Sequence, residues 1–411
     1  MSSLPGSPPL GVADARSAIL ERVQPLSGVE IQHLATALGR VLAADVISPL
    51  DVPAHDNSAM DGYALRAADL SAGGESRLQV AGTALAGKPH AGELGSGQAI
   101  RIMTGAVVPT GADTIVMQEV VRREGELLFV PPGQQAGQNV RRRGEDLAAG
   151  SVALPAGRLL GPAELGLAAS LGLGELSVRL RPRVAVFSTG DEIASIGTPL
   201  GAGQIYDSNR YTLHGMLTRL GCEIVDLGVV ADRPGELEAA FGHAAATADA
   251  IVTSGGVSVG DADFVRDIMA RLGEVAFWRI SMKPGRPMAF GRLGTALLFG
   301  LPGNPVATMV AFYQFVQPAL LKLMGVSPLP EPQLFEAVSR EAIRKPAGRT
   351  EFLRGRLSRV DGRLSVSLTG AQGSGILRSM SEADCFILLD EARGDVQAGE
   401  TVPVQPFHGL I

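Results

Sequence analysis

ADAIVTSGGVSVGDAD, residues 248–263, decides the fold. Ala250–Ser254 is an apolar run of strand length, too short for a helix. It ends in Gly255 and Gly256, and DADFVRDIMARLG, beginning at Asp261, then has helical spacing. A strand that passes through a glycine turn into a helix is the unit of a parallel α/β sheet.

Working outward, the unit repeats. RVAVFSTG (183–190), CEIVDLGVVA (222–231), EVAFWRISM (274–282) and TALLFGLPG (295–303) read as strands. SNRYTLHGMLTRLG (208–221) and PGELEAAFGHAAAT (234–247) read as helices between them, the first closed by Gly221. Asn304 suits an N-cap and Pro305 the first turn of a long helix reaching about Leu323. The spacing predicts a mostly parallel sheet with helices on both faces over 182–330.

The flanks have another texture. Residues 51–150 hold short apolar runs between Gly and Pro turns, such as RLQVAGTAL (77–85) and AIRIMTGA (99–106), which predicts a mainly β domain. Residues 331–411 carry short strands alone, which predicts a C-terminal β-barrel or sandwich. ADARSAILERV (13–23), QHLATALGRVLAADV (32–46) and PAELGLAASLG (162–172) read as helices. Together they predict a discontinuous linking domain, 12–50 with 151–181. A chain of 411 residues is too long for one core, so a multidomain protein is expected in any case.

Composition excludes some classes. A net charge of -6 argues against non-specific nucleic-acid binding. Two distant cysteines, Cys222 and Cys385, exclude a disulfide framework. The N-terminus lacks the basic-then-apolar order of a signal peptide, and the apolar window 159–176 is broken by Glu164 and Glu175. No membrane span and a cytoplasmic setting are expected.

Ligands of open parallel sheets bind at the carboxyl ends of the strands. Those ends carry STGDE (188–192), Asp232, SGGVSVGDAD (254–263) and GLPGNP (300–305). Gly255 and Gly256 would let backbone N–H groups approach an anion, with Ser258 in the same substrate-binding loop. The loop has neither a P-loop lysine nor GxGxxG spacing. The acids Asp191, Glu192, Asp232, Asp261 and Asp263 suit Mg²⁺, which takes few protein oxygens, although a helix cap or a solvated surface explains any one of them. Lys283 and Arg286 in MKPGRP, and Arg141, Arg142 and Arg143 in VRRRGED, supply positive charge, as a solvated face or as a phosphate clamp. Residues and spacing alone reach an anion- and Mg²⁺-binding multidomain α/β enzyme.

These motifs stand in one order with DVPAHDNSAMDGYAL (51–65) and RIMTGAVVPTGAD (101–113). In that order, over nearly the whole chain, the sequence resembles molybdopterin molybdenumtransferase, the bacterial counterpart of the gephyrin E domain. The resemblance implies insertion of molybdate into adenylylated molybdopterin with release of AMP. It implies Mg²⁺ as cofactor and a homodimer whose site is shared between subunits. The other enzymes of molybdenum-cofactor biosynthesis would be its partners. By position the family's acids fall on Asp61, Asp146, Glu192, Asp232 and Asp263, the last three as the metal set. Its threonine falls on Thr104, its basic pair on Arg279 and Lys283, and its prolines on Pro302 and Pro305. A molybdate pocket would use Lys283, Arg354 and Ser374. His55, Arg279 and Ala307 stand where the family often has Phe, Lys and Ser. Two alternatives are a molybdopterin adenylyltransferase, which shares the α/β domain, and a scaffold of the gephyrin type.

Overall fold

The computed structural model describes residues 9–256, 268 and 271–407. Its central sheet has the spatial order 223–230, 183–189, 250–254, 296–301, 287–293, 274–279. The first four strands are parallel, and 287–293 runs antiparallel to both of its neighbours, 296–301 and 274–279. Every residue of Ala250–Ser254 and Ala296–Leu301 is buried, as strands covered on both faces require.

Alternation along Arg183–Thr189 separates two cores. Val184 and Val186 pack with Leu213 and Val310, from the helices that begin at Asn209 and Pro305. Ala185 and Phe187 pack with Leu237 and Phe241 of helix Pro234–Thr247. This is the expected α/β/α sandwich. Strand Pro287–Leu293 is the unexpected element. In sequence, KPGRP (283–287) marks only positive charge. Its second proline opens a strand with neighbours on both sides, where the missing N–H falls at the first position.

Helix Pro305–Leu323 is long and apolar enough to cross a membrane, yet most of it is buried within the fold. Pro318 interrupts it, and residues Phe312–Val316 widen into a π-turn just before. A proline has no N–H to offer the carbonyl four residues back, here Gln314. Arg16 supplies that donor: its Nε lies 3.0 Å from Gln314 O, and a terminal nitrogen also bonds the Gln314 side chain. Helix Val12–Glu21 is therefore fixed to the α/β core, where Ala15 and Ile19 are fully buried.

QHLATALGRVLAADV is not a helix. Val29–His33 pairs antiparallel with Glu175–Arg179, a 3₁₀ turn covers Leu34–Thr36, and Gly39 has φ +71°. Pairing with a distant strand overrides the local periodicity. Helix Pro162–Ser170 forms as expected and packs beside this turn. Val46–Ile47 pairs with Val152–Leu154, so the chain leaves and re-enters this region through adjacent strands.

Between those passages lies a six-stranded sheet with a separate apolar core on each face. At the C-terminus, strand Thr350–Val360 pairs with both Arg363–Leu368 and Cys385–Leu389. Phe335–Ser339 and Thr401–Pro406 complete the ring, giving a closed five-stranded barrel.

Candidate functional site

The carboxyl ends of the parallel strands open into a cavity of about 840 Å³. Thr189 and Gly190, Ser254 to Gly256, and Pro302 to Pro305 come from three of those ends. Glu192, Asp207 and Asp232 form an acidic side. Lys283, Arg286 and Arg349 supply positive charge, and Gln372 to Gly375 reach in from the barrel region. The sequence reading missed Arg349, Asp207 and Asn209, because none sits in a glycine-rich loop.

Local bonds explain the acidic side. The Thr189 hydroxyl donates to Asp232. Asp207 is buried and takes bonds from the Ser188 hydroxyl at 3.0 Å and from Arg210 N and Nε, both at 3.1 Å. Gly190, at φ +146°, leaves room for Glu192, whose carboxylate would lie 2.6 Å from any Cβ there. Asn209 Nδ2 donates to Ser254 Oγ and Gly303 O, both at 2.7 Å, and so ties two strand ends together.

Two expected anion contacts are corrected. The Gly255 N–H already donates to Leu301 O at 3.1 Å, so it is not free for a ligand. Gly255 is needed because it sits at φ +95°, where a Cβ would collide with Thr189 O. Arg354 does not line the cavity. It is fully buried, and its nitrogens reach Ser379 Oγ at 3.0 Å, Gly373 O at 3.1 Å and Phe352 O at 3.5 Å. Burial lowers its pKa to about 10, so it remains charged at neutral pH. Its observed contacts support the loop that carries Ser374.

The structure brings together Glu192, Asp232, Gly255, Gly256, Lys283, Pro302, Pro305 and Ser374. Arg279 lies at the exposed end of an edge strand, outside the lining. Ser258, Asp261 and Asp263 fall outside the described residues.

Asp61, Thr104 and Asp146 do not line the cavity either. Thr104 N and Oγ1 each donate to Asp61 Oδ1 at 2.7 Å. The backbone N–H of Thr104 is the first cause of the lowered Asp61 pKa, its hydroxyl the second. The stretch before Asp61 fastens this pair. Gly105 N donates to Ser58 O at 2.8 Å, and Ser58 N donates to Ala106 O at 3.0 Å.

The arginine run is held by the same stretch. Asp56 accepts from Arg143 N at 2.8 Å and Arg142 at 2.7 Å. Asp51 accepts from Ala149 N at 2.8 Å and Arg143 Nε at 2.5 Å. These backbone donors lead the lowering of both carboxyl pKa values. Asp146 is exposed beside this loop, with its N–H bonded to Val52 O at 3.0 Å.

Three family models match in succession. Residues 10–172 match the MoeA N-terminal region (domains I and II), 185–322 a probable molybdopterin-binding domain, and 336–407 the MoeA C-terminal region (domain IV). A molybdopterin molybdenumtransferase of Haemophilus influenzae is 44% identical over 98% of this chain and 100% of its own length. The chain belongs to the MoeA family of molybdopterin molybdenumtransferases. A relative of that name from Nostoc is 37% identical over 97% of this chain and 94% of its own. The crystal structure of the molybdopterin biosynthesis moeA protein of Pyrococcus horikoshii OT3 superimposes with a TM-score of 0.84 at 28% identity. It covers 97% of this chain and all of that one.

Proposed function

We propose that this chain inserts molybdate into adenylylated molybdopterin, releasing AMP and forming molybdenum cofactor. The observation that carries this reading is the cavity's two-sided charge, with carboxylates on one side and cations on the other. A phosphoanhydride substrate and a metal dianion need both. The adenylyltransferase and scaffold alternatives are not favoured, since the transferase-named relatives match over nearly the full length.

Lys283 and Arg286 attract the molybdate dianion, with Ser374 as a neutral hydrogen-bonding contact. Arg354 supports that loop from behind. Gly256, Pro302 and Pro305 shape the wall against which the substrate lies; Ser258 is proposed as a further substrate contact. Arg279 would meet the substrate at the rim. Mg²⁺ fits the acidic side: Glu192 and Asp232 offer hard oxygens, and Gly190 leaves the space that a side chain would fill. These two residues and Asp263 would hold the ion, which offsets negative charge on the phosphates and the leaving AMP. Among the described residues no group of three such ligands occurs, and Asp263 with waters would complete the set.

Asp61, Thr104 and Asp146 enter this reading from the partner subunit of a homodimer. Support for a dimer comes from apolar side chains exposed on the paired strands of the linking region, among them Val29, Ile31, Ile47 and Val152. The cytoplasm, with the other cofactor-biosynthesis enzymes as neighbours, is the setting proposed for it.

Purified protein supplied with adenylylated molybdopterin, Mg²⁺ and molybdate should release AMP and yield cofactor that activates a cofactor-free molybdoenzyme. Accumulation of adenylylated molybdopterin from ATP and molybdopterin would assign the chain to the alternative activity instead.

A further inference from the structure

Ser188, Asp207, Asn209 and Ser254 line one end of the cavity, and each is buried. Their polar hydrogens are all committed within the protein. Ser188 Oγ donates to Asp207 Oδ1 at 3.0 Å. Asn209 Nδ2 donates to Ser254 Oγ and Gly303 O at 2.7 Å each, and Ser254 Oγ to Pro302 O at 3.4 Å. Since the Gly255 N–H is bonded to Leu301 O, these groups offer no donor to an anion. The start of helix Asn209–Leu220 has its own carboxylate, because Arg210 N donates to Asp207 Oδ1 at 3.1 Å.

What this end presents is acceptors. Ser188 Oγ keeps its lone pairs. Among the described residues, Asn209 Oδ1 is buried without a hydrogen bond, a costly state for an amide oxygen. Asp207 fixes the polarity. Arg210 Nε pairs with its carboxylate at 3.1 Å, and Arg210 reaches Asp226 at 2.7 Å through another nitrogen. An ionised carboxylate has no hydrogen to donate, so Ser188 must be the donor of the Ser188–Asp207 pair.

We propose that Ser188 Oγ and Asn209 Oδ1 form an acceptor pair for an uncharged, hydrogen-bond-donating edge of the substrate. Adenylylated molybdopterin has two such edges, the ribose diol and the amino and ring N–H edge of the pterin. Asp207 acts only through Ser188, by holding its hydroxyl turned away from the ligand, and is a positioning residue. The inference rests on the substrate proposed above.

Calorimetric titration of the full chain with AMP, and separately with molybdopterin, tests it. Ser188→Ala should weaken the ligand that carries the edge by about three- to tenfold, the scale of one neutral hydrogen bond, and leave the other ligand unchanged. Loss with AMP assigns the ribose, and an AMP analogue lacking both ribose hydroxyls should then bind native protein and Ser188→Ala equally. Loss with molybdopterin assigns the pterin. In Asp207→Asn the new amide can donate to Ser188 and turn its hydrogen toward the ligand. That variant should show the same loss, and adding Ser188→Ala to it should cost nothing more. Asn209→Ala should weaken the same ligand, and Asn209→Asp, which keeps an acceptor, should recover part. Unchanged affinity of Ser188→Ala for both ligands overturns the acceptor role of Ser188. Additive losses overturn the positioning role of Asp207, and equal losses in the two Asn209 variants overturn that contact. Native protein that binds neither ligand overturns the substrate reading itself.

Discussion

Thr104 donates to one oxygen of Asp61 twice, from its backbone N–H and from its hydroxyl, at 2.7 Å each. Two donors on one carboxylate oxygen favour the ionised form, so Asp61 titrates below the usual carboxylate range. A depressed carboxyl pKa gives an interaction that is complete above the unfolded value. It is lost as pH falls through the folded value. Thr104→Ala removes the hydroxyl and leaves the backbone donor. The acid limb of the pH–activity profile should therefore move to higher pH, by only part of the way to an ordinary aspartate. An acid limb that stays in place would separate Asp61 from the reaction.

If Asp61 serves the partner's cavity, defects should complement across the dimer. Asp61→Ala and Lys283→Ala subunits, mixed and allowed to exchange, should form heterodimers in roughly half the population. Each heterodimer would have one intact site, so recovered activity should approach about a quarter of the native rate. Silence after verified exchange would mean that each site is built within one chain.

Arg354 is expected to behave unlike Lys283. Its guanidinium is buried against Gly373 O and Ser379 Oγ. Arg354→Ala should cost about 1.5–3 kcal/mol per lost charged bond and lower the thermal midpoint together with activity. Lys283 is 43% exposed and pairs with the buried Glu351 at 3.1 Å, which also faces Arg349, so Lys283→Ala should depress activity and lower that midpoint less than Arg354→Ala does. Calorimetry alongside turnover tells the two apart.

Arg16 stands in for the N–H that Pro318 lacks. Arg16→Ala should destabilise the protein by about 1–3 kcal/mol, since it strips a partner from a carbonyl beside the core. The denaturant midpoint reports it, and Arg16→Lys, with no planar fork, should rescue only part.

Burial raises the thiol pKa of Cys222 and Cys385 to about 12. Both should resist a thiol reagent at pH 8 in the native state and react on unfolding. Replacement by Ala should leave AMP release intact, as expected if the substrate supplies the sulfurs.

Much of the α/β unit was legible because its signals are local. Ala250–Ser254 is apolar throughout, and it ends at Gly255 and Gly256. Helix Asn209–Leu220 stops at Gly221, which adopts φ +83°. The reading failed at QHLATALGRVLAADV, where the deciding partner, Glu175–Arg179, lies far along the chain. Arg354, which the resemblance placed in a molybdate pocket, is fully buried, and burial is not written in the residues around it. Arg349 went unmarked as well, since the pairing of Met282–Lys283 with Thr350–Glu351 is what brings it to the cavity wall.

By itself the sequence determined the strand–glycine–helix alternation, the acid- and glycine-rich strand ends and the family. Each of these is written in residues close together or in motifs kept in order. The tertiary structure alone decided which charges share the cavity, that the Gly255 N–H is already taken, and that Arg354 lies behind the wall. Burial and hydrogen-bond partnership depend on segments folded together from distant parts of the chain, and no local pattern encodes them.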